Sequence, residues 1–263
     1  MATNFTNSSS KSNYVAIQPI QGVILGIIST PGIVGNAFAI VATVKLLKVQ
    51  RLAPNIFIIG LAFCDLIGLL TICIPTWICY AFGGWQGGQH LCSFQGFATL
   101  LFSMGSGLVA TMMSVDRLLS IKAPFFHRAH VNVNTAKKLL VAIMIFSASF
   151  AVMPVLGFGS FVRNLTGTYC TINWFARSYS DMAFSYLYAT IGILMVLVVV
   201  LSNAMVIVML IKKRKLRREL SSKNKSANDK LQQQFSRMMM VISLLFLFCW
   251  TPFMVSQLLF FPL

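Results

Sequence analysis

The stretch "MAFSYLYATIGILMVLVVVLSNAMVIVMLI", Met182 to Ile211, contains no Asp, Glu, Lys or Arg. As a helix it would rise about 45 Å, more than the roughly 30 Å of hydrocarbon in a bilayer. Residues 139–162 and 238–263 are likewise uncharged, and the uncharged run 66–115 is divided by the Gly-rich turn "GGWQGGQH" at 83–90. With an apolar segment near the N-terminus, the sequence predicts six spans, at about 20–44, 54–81, 91–121, 136–156, 181–211 and 235–261. A tail of residues 1–19 precedes them, and residues 20–263 form an all-α membrane bundle. The composition agrees: 57% of residues are hydrophobic, only 10% are charged, and the mean hydropathy is +0.79. A soluble domain with a solvated surface is excluded on that balance.

The net charge of +16 would suggest a nucleic-acid partner if the cations were clustered on a folded face. They instead occupy short loops on alternate sides of the spans. Lys45, Lys48 and Arg51 follow the first span; Arg117, Lys122, Arg128, Lys137 and Lys138 surround the second such loop; ten of the 21 basic residues lie between Lys212 and Arg237. The positive-inside rule places these segments in the cytoplasm and the N-terminus outside. The sequons agree, because Asn4 in "NFT", Asn7 in "NSS" and Asn164 in "NLT" all fall on the outer side, where glycosylation occurs. Asn224 in "NKS" falls inside and is expected to stay unmodified. The tail shows no basic segment followed by a short apolar one, so the first span itself is expected to direct insertion. The third inner loop, "KKRKLRRELSSKNKSANDK", reads as a helical extension of the fifth span followed by a polar segment that touches anionic membrane lipids.

Topology also sorts the six cysteines. Cys64, Cys73, Cys79 and Cys249 fall within spans, where a thiol acts as a small apolar group. Cys92 and Cys170 fall at the outer, oxidising face. A disulfide between them would tie the third span to the loop before the fifth; two unpaired thiols are the alternative. Asp65 is the one acid well inside a span, where a carboxylate costs about 2.5–3.5 kcal/mol. It needs a partner: either a sodium ion held with Asn36 and Ser106, or, as a protonated acid, hydrogen bonds to neighbouring helices. Asp116 and Arg117 adjoin at the inner end of the third span and read as a solvated interfacial ion pair. Pro252, just after Trp250 in "FCWTP", must kink the sixth span, as a hinge or as a packing device. The three histidines, His90, His127 and His130, are expected in loops. No metal cluster, phosphate loop or nucleophile motif is present, so neither an enzyme nor a cofactor is implied.

These residues together resemble the rhodopsin-like G protein-coupled receptors. "GNAFAIV" with Asn36, "LAFCD" with Asp65, "DRL" with Arg117, 25 positions after Cys92, and "CWTP" with Trp250 and Pro252 stand in that family's order and spacing. Within the family, "GGWQGGQHLC", "MMSVDRLLSI", "MPVLGFGS" and "GTYCTINW" are similar to segments of the prostaglandin E receptors. The resemblance implies the rhodopsin-like bundle, with six of its seven helices within these 263 residues. It also implies a plasma-membrane receptor for a prostaglandin-like lipid that signals through a heterotrimeric G protein. Asp116, Arg117, Trp250 and Pro252 would belong to the switch machinery. Thr168, two residues before Cys170, and Tyr80, five before Trp85, match the hydroxyls that help to hold the ligand carboxylate in that family. Leu118 stands where many members carry Tyr or Cys, and the arginine that anchors the carboxylate lies in the family's seventh helix. The chain taken alone is therefore expected not to signal. The alternative function is a truncated receptor that pairs with, or retains, full-length copies, forming a receptor dimer. A transporter is disfavoured, since transport pathways show internal repeats or several intramembrane charges.

Overall fold

A computed structural model describes residues 19–164, 166–174 and 178–219, together with Arg237, Val241, Leu244 and Phe248. Five of its helices are long and apolar enough to cross a membrane: α1 (Pro19–Val49), α2 (Ala53–Phe82), α3 (Gly88–Lys122), α5 (Val133–Val152) and α6 (Tyr179–Glu219). The short helix α4 (Pro124–His130) joins α3 to α5, and strands β1 (Phe161–Arg163) and β2 (Cys170–Ile172) precede α6. The sixth expected span, 235–261, falls almost wholly outside the described residues.

The helix ends follow from local chemistry. Pro54 and Pro124 sit in the first turns of α2 and α4, where no N–H is needed. Gly83 closes α2 in the left-handed conformation, φ 68°, its N–H donating to the Cys79 carbonyl. Asn132 caps α5, its side chain accepting from the Thr135 N–H at 2.9 Å. α5 stops at Val152, earlier than the sequence predicted, because Pro154 lacks the N–H to continue the ladder. Tight turns follow, through Val155 N–H to Val152 carbonyl, until Gly157 turns the chain at φ 97°. At the other extreme, α6 runs unbroken to Glu219, well beyond the apolar run, as the basic loop's helical reading anticipated.

α3 is the central helix, buried along more than half of its span, whereas α1 lies at the periphery and turns most of its surface outward. Among the described residues three apolar clusters hold the bundle, a small one at Ala110 and Val199 and two larger ones. The outer one joins Leu100 and Met104 of α3 to Phe150 of α5, Phe161 and Ile172 of the two strands, and Phe184 and Tyr188 of α6. The inner one joins Ile56 and Phe57 of α2 to Val109 and Met113 of α3 and Ala136 of α5. Hydrocarbon outside gives no hydrophobic drive between helices, so close approach through small residues matters more. Gly105 of α3 meets the Cys64, Met144 and Ser147 side chains, bringing α2, α3 and α5 together at one level.

Gly96 makes the close contact between α3 and β1 at the outer end. A Cβ there would run into the Phe161 ring and lie 3.0 Å from the Phe161 Cβ, which cannot swing away. Gly96→Val should therefore lift β1 off α3 and lower stability by about 1–3 kcal/mol, the usual cost of overpacking. Thermal unfolding in detergent checks this. A melting temperature equal to that of the parent would show that the strand accommodates the added carbons.

Candidate functional site

The outer mouth is roofed by the antiparallel pair β1–β2, in which Phe161 faces Ile172, Val162 faces Thr171 and Arg163 faces Cys170. Phe161 and Ile172 point into the outer cluster, and Trp174 packs edge-on to Tyr188 at 5.8 Å. Cys92 of α3 and Cys170 of β2 are bonded at 2.05 Å, with their Cα atoms 5.2 Å apart. The hairpin is thus stapled to the head of α3. Among the described cysteines, Cys64, Cys73 and Cys79 remain free and buried.

Asn164 organises the hairpin tip. Its side-chain oxygen accepts from the Thr168 N–H at 3.0 Å, and its amide donates to the Thr166 hydroxyl at 2.6 Å. The Thr166 and Thr168 hydroxyls are in turn bonded at 2.7 Å. Thr168 is only 2% exposed, and its hydroxyl is held by another side chain within the same loop. Tyr80 lies on α2, half-buried against Gly22 of α1. The chain neighbours of the two residues meet: the Cys79 thiol lies 4.0 Å from the Gly167 carbonyl.

At mid-depth the Ser106 hydroxyl donates to Asp65 at 2.5 Å, joining α3 to α2. The Asn36 amide N–H donates to the Gly32 carbonyl of its own helix at 2.9 Å. The carboxylate and hydroxyl oxygens are the donor type a hard cation takes. Among the described residues no group of three or more His, Cys, Asp or Glu could hold a metal ion.

The inner end corrects two expectations. Asp116 and Arg117 are not a solvated pair: they are 4% and 8% exposed, with Arg117 Nη2 3.7 Å from Asp116 Oδ2. The burial has a cause that the sequence reading missed. His127 Nε2 lies 2.8 Å from Asp116 Oδ1. Nor do the histidines lie in loops, since His90 is in the first turn of α3 and His127 and His130 are on α4. Pro124 starts a helical turn that carries His127 back over the end of α3, and this proline was the one signal available in the sequence. Gln95 was also missed, a buried amide that bridges α2, α3 and β2. Trp250, Pro252, Cys249, Asn4, Asn7 and Asn224 lie outside the described residues.

Five membrane-length helices, a disulfide-stapled hairpin at one end and a buried Asp116–Arg117 pair at the other end of the central helix are the features to set beside known proteins. Residues 35–261 match the family model described as 7 transmembrane receptor (rhodopsin family), and the chain belongs to that family. It is 34% identical over 167 residues to the prostaglandin E2 receptor EP4 subtype of Homo sapiens, covering 63% of this chain and 34% of that protein. The human prostaglandin E2 receptor EP3 subtype is 27% identical over 183 residues, covering 64% of this chain and 47% of that one. The matched region spans about a third to a half of the length of these relatives. In three dimensions the chain is similar to squid rhodopsin, with a TM-score of 0.81 at 21% identity over 95% of this chain and 75% of the other. These relatives are receptors and not enzymes.

The Asp116–His127 contact can be measured apart from any ligand. A hydrogen bond to a buried carboxylate contributes about 1.5–3 kcal/mol, so His127→Ala should lower unfolding stability by that amount. In an Asp116→Asn background the same change should cost less, about 0.5–1.5 kcal/mol, as a neutral bond does. Equal losses in both backgrounds, measured by unfolding in detergent, would show that the imidazole contributes by packing alone.

Proposed function

We propose that the chain is the ligand-binding and inner-coupling part of a receptor for a prostaglandin E-type lipid carboxylate. In this reading it lies in the plasma membrane with its N-terminus extracellular and couples to a heterotrimeric G protein. The observation that carries the reading is the buried Thr168 hydroxyl on a hairpin stapled to α3, one residue from Gly167, whose carbonyl meets Cys79, the chain neighbour of Tyr80 on α2. Asn164 donates to Thr166, and in the orientation in which Thr166 donates onward to Thr168, the Thr168 proton is the terminal donor of the chain. A preoriented hydroxyl at the mouth of an apolar bundle suits a long lipid with one charged end. The similarity to prostaglandin E2 receptors supports the ligand class.

The mechanism then has two further stations. Asp65 and Ser106 lie between the mouth and the inner end, and a sodium ion bound at their oxygens would favour the helix packing that keeps them together. Asp116 neutralises Arg117 below, and freeing Arg117 from it would expose a cation to an inner partner. Trp250 and Pro252 complete the proposed switch, and Asn4, Asn7 and Asn164 are the proposed glycan acceptors.

Thr168→Ala and Tyr80→Phe each remove one hydroxyl from a desolvated carboxylate, a loss of about 1.5–3 kcal/mol, or roughly ten- to a hundredfold in Kd. Prostaglandin E2 binding should be measured in nanodiscs on the chain joined at Leu263 to the remaining portion of the human EP4 receptor. The methyl ester should lose less than the acid. Equal losses for acid and ester would show that the hydroxyls support loop structure and not the charge. Prostaglandin-dependent cyclic AMP or calcium in cells expressing the joined chain tests the G protein step.

A further inference from the structure

Pro75 lies inside α2, about two turns before its end at Phe82, and has no N–H to give to the carbonyl four residues earlier, that of Thr71. In a membrane span that orphaned acceptor has to be satisfied from within the protein. Gln95 of α3 supplies the donor: its Nε2 lies 3.2 Å from the Thr71 carbonyl and 3.4 Å from that of Ile72. Its other end is equally committed. Gln95 Oε1 accepts from the Cys170 N–H of β2 at 2.7 Å, and the side chain is 0% exposed. One planar amide therefore fills the gap left by a proline in α2 and holds the backbone of the outer hairpin at its disulfide cysteine. Its donor and acceptor are fixed in one rigid plane, so neither end can move without pulling on the other.

We propose that Gln95 is a positioning residue that couples the proline break in α2 to the seat of the outer hairpin, by a route separate from the Cys92–Cys170 bond. The disulfide limits how far the hairpin can travel from α3. The amide sets where it rests relative to α2, the helix that carries Tyr80. A change in the bend of α2 at Pro75 is transmitted to β2, and with it to Thr168. The consequence for ligand recognition rests on the reading that this hairpin roofs the lipid site; the coupling itself does not.

The test is amide hydrogen exchange of the hairpin, residues 161–174, in the full 263-residue chain in nanodiscs without ligand, with the disulfide verified intact by mass. Gln95→Met keeps the volume but neither hydrogen bond, and should speed exchange at the Cys170 amide about tenfold. Pro75→Ala restores an N–H for Thr71, releases Gln95 from α2 and should also speed exchange in the hairpin, although the substitution is far from it in sequence. In the Gln95→Met background Pro75→Ala should add nothing. Unchanged hairpin exchange in Pro75→Ala, or an equal change in both backgrounds, would overturn the coupling. If Gln95→Met does not fold, Gln95→Asn, one methylene too short to reach both partners, takes its place with the same expected results. Prostaglandin E2 affinity of the chain joined to the EP4 remainder is then compared in the same variants. Exchange that moves as expected with no change in affinity would leave the coupling standing and count against the hairpin as the roof of the ligand site.

Discussion

Inside hydrocarbon each backbone N–H and carbonyl has to find its partner within the protein, since no water is there to take its place and an unsatisfied group costs several kcal/mol. Much of this chain's local design answers that constraint. A helix satisfies its own backbone, and so the spans are helices; each place where a helix is interrupted needs a named repair. Pro75 opens a gap that Gln95 fills from the next helix. Thr76 turns its hydroxyl back to the Ile72 carbonyl at 2.6 Å in the same turn. Where α5 is stopped at Pro154, the chain passes through tight hydrogen-bonded turns into a hairpin whose tip is closed by one asparagine.

The same constraint explains which features could be read from the sequence. Span identity is a sum over many residues, so uncharged runs such as Met182–Ile211 announce a helix whatever it packs against. Cys92 and Cys170 were legible because the topology expected from the sequence puts both at the same face, and the structure joins them in a disulfide. The ends of spans were less legible, since α5 is ended by a single proline inside an otherwise apolar run and α6 continues into a basic segment that remains helical.

Polar contacts between elements were the least legible. Gln95 looks like any glutamine near a helix start, and its importance comes from a proline twenty residues earlier on another helix and an amide far later in the chain. His127 follows Asp116 by eleven positions, and only the turn begun at Pro124 folds one onto the other. Asn36 adds a local contact that the sequence reading did not include. The sequence reading set it with Asp65, and the structure shows its amide N–H bonded to the Gly32 carbonyl one turn back on its own helix, a local bond that asparagine readily makes.

α6 is 41 residues long, about 62 Å as a continuous helix, roughly twice the thickness of the hydrocarbon. Its inner end carries Lys212, Lys213, Arg214, Lys215, Arg217 and Arg218 on a backbone that stays helical to Glu219. Because that array is joined rigidly to the apolar span, it fixes the depth of the helix in the bilayer. Sliding outward beyond the roughly 15 Å by which the apolar run exceeds the hydrocarbon would draw the first cations into it at a cost of up to about 2.5–3.5 kcal/mol each at full depth. Tilting or turning about the long axis incurs no such penalty. The charged rod thus acts as a plimsoll line: whatever motion the outer mouth imposes on α6, the bilayer permits it as rotation and resists it as translation.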